Sequence, residues 1–331
     1  MAMRSRAIHW GCLLLMIMLA LGTACSRGDG RLLNLSGGDG VEGGEGPYDV
    51  LPAWSPDGSR IAFISIVMDT SIHIGSPYVS SIYVMDADGR NRLQVAGDGA
   101  TGVSWSLSGD ELVYSTDQGG IGVIDPEGNN VRYVIANQSG VLGASLYRPS
   151  YSPDGTKIVF MKLVAFEDLD YPGSTMGYWQ VFVVDVDGTN VTKLSADRVD
   201  DRYPAWSPDG TKIVFTSYRG GYWGIYVMDA DGNNVVGLTG EGGAESYPVW
   251  SPDGKRIAFT FTDDQGVNTE IYVMNSDGSD VVRLTNNSIE ERDLSWSLDG
   301  TKLAISGVDS SLPIPGQDSS GNDSIYVLNM V

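Results

Sequence analysis

Residues 206–210 read Trp-Ser-Pro-Asp-Gly, and the phrase returns along the whole chain. WSPDG also stands at Trp54–Gly58 and Trp250–Gly254, with WSLSG at Trp105–Gly109, YSPDG at Tyr151–Gly155 and WSLDG at Trp296–Gly300. Successive copies begin 51, 46, 55, 44 and 46 residues apart. A period of roughly 40–50 residues with several short strands per unit marks a radial β-repeat.

The fourth unit shows the local logic: YPAWSPDG, TKIVFTS, IYVMDADG, NNVVGLT. Runs rich in Ile, Val, Phe, Tyr and Met lie between turn signals and are too short for helices. In Pro-Asp-Gly and Asp-Ala-Asp-Gly, Pro fixes φ, Asp bonds nearby backbone and Gly accepts positive φ. Each unit therefore predicts four antiparallel strands. Ile213–Phe215 and Ile225–Met228 are apolar on successive residues, so both faces of the sheet must be covered, by neighbouring units. The recurring aromatic is expected to pack between blades. The last unit stops after IYVLNMV without a fourth strand, and Arg31–Ser36 (RLLNLS) matches the missing one. The expectation is an all-β, six-bladed propeller closed by its N-terminal strand, which removes exposed sheet edges.

The phrase PAWSPDG…IAF…IYVMDADG…LT resembles the WD-like propeller repeats of the TolB family, over nearly all of residues 31–331. Units two and three are worn copies, with Leu107-Ser108 before Gly109 and Tyr151 in place of Trp. The resemblance implies a periplasmic propeller that works by binding. TolB proteins carry an added N-terminal α/β domain and partner a peptidoglycan-associated lipoprotein. This chain has no room for that domain between Cys25 and Trp54, so that partner is not carried over.

Residues 1–24 read as an export signal: Arg4 and Arg6, an apolar run from Trp10 to Leu21, then small residues. LGTAC resembles a lipoprotein cleavage box, which makes Cys25 the candidate lipidation site; ordinary secretion with a free thiol is the alternative. The expected organisation is signal 1–24, lipidated Cys25 with a short tether to residue 30, and one propeller from 31 to 331. Localisation is then extracytoplasmic, at the periplasm or cell surface, with the membrane reached through the lipid alone. Cys12 leaves with the signal, so no intramolecular disulfide is expected.

The net charge of −21, from 21 basic and 42 acidic residues, disfavours nucleic acid and favours solubility. Only His9 and His73 occur, and His9 lies in the signal. A Ser-His-Asp triad or a multi-histidine zinc site has no supporting motif, so no catalytic residues are assigned. Oligogalacturonate lyases use similar repeats, but they resemble a His-rich metal site that is missing here. His73 is expected to be solvated. The paired acids Asp86/Asp88, Asp185/Asp187, Asp229/Asp231 and Asn275/Asp277 sit in hairpin turns. They lack the distal Glu of a calcium loop, so turn chemistry is expected, with calcium or another divalent cation as the alternative. No cofactor is expected.

Candidate ligand residues precede each first strand. Five residues ahead of the aromatic stand Asp49, Asp201, Glu245 and Glu291, four acids among six units. Next come Arg202 and Arg292, then Arg148, Tyr203, Tyr247 and Asp293. If the first strand lines the axis, this set rings one mouth of a channel and suits a cationic group or metal. The other reading is that the acids tie one blade to the next. The loops between second and third strands open on the same face and vary most in length. They carry Tyr78, Tyr171, Tyr178, Trp179, Tyr222 and Trp223, aromatics on variable loops that suit partner recognition. A non-catalytic binding or scaffold module for a protein or envelope partner is expected, as a monomer. A carbohydrate-binding or carbohydrate-active propeller is the alternative.

Overall fold

The computed structural model describes residues 32–35, 47–68, 78–97, 99–136, 146–167, 175–240, 243–263, 266, 269–309 and 323–330. The signal segment, Cys25, His73 and Tyr171 lie outside them, as do Arg31 and Ser36 at the ends of the expected closing strand.

Six four-stranded antiparallel sheets make up the described chain, one per repeat. Blade four runs outward through Asp200–Trp206, Lys212–Arg219, Tyr222–Asp229 and Val236–Gly237. The Ser-Pro-Asp-Gly turn joins the first two. Its Gly210 sits at φ 71° and donates to Ser207 O at 2.9 Å, while Ser207 Oγ donates to Asp209 at 2.6 Å and accepts from the Lys212 amide at 2.9 Å. Ser, Asp and Gly of the phrase thus satisfy turn groups that would otherwise go unpaired. The paired acids of the outer hairpins do similar work: Asp229 accepts from Asn234 at 2.6 Å and Asp231 from the Asn233 amide at 3.0 Å.

The core lies between blades. Phe63, Phe160, Phe215 and Phe259 hold equivalent places in second strands and are at most 2% exposed. Burying each contributes about 1.5–3 kcal/mol. Trp54 packs with Ile61, Phe63 and Met85 of its own blade and with Ala304, Ile325 and Val327 of blade six. The recurring aromatic is thus the inter-blade wedge that the repeat predicts.

Closure uses the N-terminal strand. Leu32–Asn34 pairs antiparallel with Asp323–Asn329, Leu33 opposite Val327, and the Leu35 amide donates to Ile325 O at 2.8 Å. A second observation places this strand in the ring. In blades two to five, a Cβ added to Gly128, Gly188, Gly232 or Gly278 would lie within 3.0 Å of the carbonyl oxygen of Val95, Val134, Leu194 or Leu238, in or just past the fourth strand of the preceding blade. In blade one the same glycine, Gly89, meets Leu35, whose carbonyl oxygen would lie 2.5 Å from any added Cβ. Leu35 therefore occupies a fourth-strand place in blade six. The Trp54 amide adds a bond across the seam, donating to Ser295 Oγ at 3.1 Å.

Where long loops were expected, the strands run on. In blade three Lys157–Glu167 and Thr175–Asp185 pair as far as Glu167 with Thr175. Tyr178 and Trp179 therefore stand on strands, as do Tyr78, Tyr222 and Trp223. Cross-strand aromatic contact favours this extension, with Phe166 and Tyr178 edge to face at 5.8 Å.

Candidate binding site

Every first strand carries a break in register three or four residues before its aromatic. At that place Leu51, Arg148, Tyr203, Tyr247 and Asp293 adopt φ of 59°, 58°, 55°, 52° and 35°; blade two has Gly102 there, without a positive φ. A non-glycine residue in this region costs on the order of 1–3 kcal/mol, which the surrounding ladder must offset. The bulge turns these side chains toward the axis.

There they meet. Arg148 of blade three forms an ion pair with Asp293 of blade six, diametrically across the ring. Ser306 Oγ donates to the other Asp293 oxygen at 2.7 Å. The Arg148 guanidinium lies over the rings of Tyr203 and Tyr247, at 5.0 and 5.1 Å from their centroids, and those rings are 4.2 Å apart. Burial alone would lower the arginine pKa; the charge of Asp293 and the two tyrosines outweigh it and raise the value. This layer divides the channel into two chambers, with Arg148, Leu51 and Asp293 lining both.

The chamber on the Ser-Pro-Asp-Gly side, about 520 Å³, is walled by the six repeat aromatics and by Pro56, Pro153, Pro208 and Pro252. The other, about 500 Å³, lies at the expected mouth and is walled by Tyr147, Trp179, Arg202 and Arg292 together with Val50, Ile66 and Met161. Arg202 pairs with Asp200 at 2.7 Å and stacks over Trp223 at 4.8 Å; Arg292 pairs with Glu290 at 2.9 Å. Trp179 stands edge to face with Tyr147 at 5.1 Å. Tyr78 is exposed, and Tyr178, Tyr222 and Trp223 are half-buried.

The four acids stand elsewhere. Asp49, Asp201, Glu245 and Glu291 are buried within the blades and do not line either chamber. Asp49 pairs with Arg92 at 2.9 Å; Asp201 accepts from Ser217 at 2.5 Å and pairs with Arg219 at 3.1 Å. Burial raises Asp201, with the hydrogen bond from Ser217 and the charge of Arg219 opposing. Among the described residues, neither Glu245 nor Glu291 has a facing cation. Each keeps a buried Oε2 without a partner, and burial pushes both carboxyls up to about 7. The four acids of the expected ring are therefore buried blade residues, and the channel side carries arginines and aromatics with Asp293. Tyr147 escaped the sequence reading, although it holds the repeat position of Arg202 and Arg292.

Comparison with known proteins agrees with this architecture. Residues 130–264 match the family model of the TolB beta propeller domain. The chain is 30% identical over 197 residues to the uncharacterized peptidase YuxL of Bacillus subtilis (strain 168), covering 50% of this chain and 29% of that protein. It is 37% identical over 70 residues to the uncharacterized protein Atu1656 of Agrobacterium fabrum, 21% of this chain and 20% of that one. The matched stretches thus span less than a third of these curated relatives. Among solved structures, a putative TolB from Agrobacterium tumefaciens superposes with a TM-score of 0.60 at 20% identity, covering 86% of this chain and 90% of that one. An oligogalacturonate lyase in complex with manganese gives 0.57 at 18% identity, covering 86% and 74%. Likeness at this identity speaks for the fold: the repeat and the ring make the chain a six-bladed β-propeller, similar over residues 130–264 to the TolB beta propeller domain.

Proposed function

We propose that this protein is an extracytoplasmic binding propeller, exported by residues 1–24 and lipid-anchored through Cys25, that holds a protein or envelope partner on the face carrying the second-to-third-strand hairpins. The supporting observation is a preorganised channel site next to aromatic side chains on that face. Trp179 walls the chamber and Trp223 lies under Arg202, so a partner resting on the hairpins reaches the channel arginines directly. Aromatic and arginine anchors grouped in this way are the side chains that carry binding energy at interfaces. No catalytic residue is assigned. Capture from envelope extract with purified wild type is expected to retain partners that a Tyr178→Ala/Trp179→Ala/Trp223→Ala variant loses. Equal recovery by a folded variant would remove this face from the reading.

The second reading is a carbohydrate-binding or carbohydrate-active propeller, supported by the similarity to an oligogalacturonate lyase solved with manganese. Binding to a glycan array with the channel arginines intact, or turnover of polyuronides by purified protein, would favour it over a protein partner.

A further inference from the structure

The acids beside the channel belong to the blades, and the chamber beyond the cross-channel layer presents three guanidinium groups. We infer that this chamber is an anion site that takes the carboxylate of a small organic acid with a ring or apolar body, anchored on Arg148. The inference deepens the binding role proposed above and rests on it.

Arg148 carries the argument. Its one side-chain hydrogen bond in the described structure runs from Nη2 to Asp293, yet a guanidinium offers five N–H donors. No nitrogen of Arg148 is sealed off without a partner, so the remaining donors reach the chambers. The tyrosine rings beside the guanidinium and the bulge at Arg148 fix its position before any ligand arrives. A fixed, partly desolvated guanidinium with free donors suits bidentate recognition of a planar carboxylate.

The surroundings set the ligand class. Among the described side chains lining this chamber, Asp293 is the one acid against Arg148, Arg202 and Arg292. Asp200, Glu290 and Asp323 offset the two flanking arginines from positions outside the lining, which leaves Arg148 as the main anchor. Tyr147 and Trp179, with Val50, Ile66 and Met161, provide an apolar wall for the rest of the ligand. About 500 Å³ is within the range of small-molecule pockets, roughly 300–1,000 Å³. The overall charge of −21 works against anions at long range, so recognition depends on this local arrangement.

The test is calorimetric titration of the folded protein with benzoate, hexanoate and glucuronate, each against its neutral counterpart benzyl alcohol, hexanol or glucose. At least one acid is expected to bind about tenfold or more tightly than its counterpart, as one charge-assisted bidentate contact gives. Arg148→Gln is expected to abolish that preference and leave binding of the neutral molecule unchanged. Since loss of Arg148 can also disturb folding, Asp293→Asn is the second variant. It removes the carboxylate that competes for Arg148 and is expected to tighten acid binding severalfold. Equal binding of acid and neutral molecule, no binding of any acid at millimolar concentration, or an acid affinity untouched by both substitutions would overturn the inference. Partner capture that survives such a result leaves the wider binding role standing. Acid binding without partner capture would do the reverse.

Discussion

A chain lacking residues 1–36 is expected to lose about 2–4 kcal/mol of stability and to associate in solution. The lost segment pairs Leu32, Leu33 and Asn34 with the last strand and places Leu32 and Leu35 against two inter-blade clusters. Each ladder hydrogen bond contributes about 0.5–1.5 kcal/mol net, and each partly buried leucine adds on the order of 1 kcal/mol. Against a typical domain stability of about 5–15 kcal/mol the loss is large. It also exposes Asp323–Asn329 as an open edge, a template for pairing with another chain. Denaturant titration and size-exclusion chromatography check this. An unchanged midpoint with a monomeric profile would mean that the strand contributes little.

The second large effect concerns pH. Glu245 and Glu291 have folded values of about 7 against an ordinary 4.5, raised mainly by burial. Below about 4.5 both carboxyls are protonated in either state. Between 4.5 and 7 the unfolded chain gives up these protons while the folded chain keeps them, so stability falls as pH rises; above 7 it levels off. A full shift of this size corresponds to about 3 kcal/mol per group, and partial solvation reduces it to about 1–2 kcal/mol each. Turn carboxylates act in the opposite direction. Hydrogen bonds, chiefly from Ser55 and Ser297, hold Asp57 and Asp299 at about 2, so their contribution is complete above 3.8 and is lost as pH falls toward 2. Stability is therefore expected to peak between about pH 4 and 5. Melting temperatures from pH 3 to 9 test this, and a Glu245→Gln/Glu291→Gln variant is expected to flatten the decline between 4.5 and 7. A wild type equally stable at pH 5 and pH 8 would contradict it.

The blade count, the turns, the wedge role of the aromatic and the closing strand were all legible in the sequence, because each is written into a repeated phrase with one local physical cause. The candidate site was legible as positions but not as directions. Strict alternation back from Trp54 puts Asp49 on the opposite face of its strand. The bulge at Leu51 adds a residue, and Asp49 comes round to the face that Trp54 shares with Ile61 and Ser65. The same slip buries Asp201 and Glu291 inside the ring of blades and leaves Arg202 and Arg292 to the channel. Nothing in the residue types announces a positive φ at Arg148 or Tyr203, side chains that ordinarily avoid it. The aromatic hairpins were hidden for a related reason. Cross-strand pairs such as Ala165 with Gly177 extend the ladder through residues whose composition alone does not set a strand end.

The ring itself is tested most directly by replacing Leu33 and Val327, which face each other across the closing pair, with cysteine. Under mild oxidation the double variant is expected to form an intramolecular disulfide in high yield, visible as faster migration on non-reducing gels and as a raised melting temperature. Two thiols that stay free in folded protein, or that link only between molecules, would show that the N-terminal strand does not complete the sixth blade.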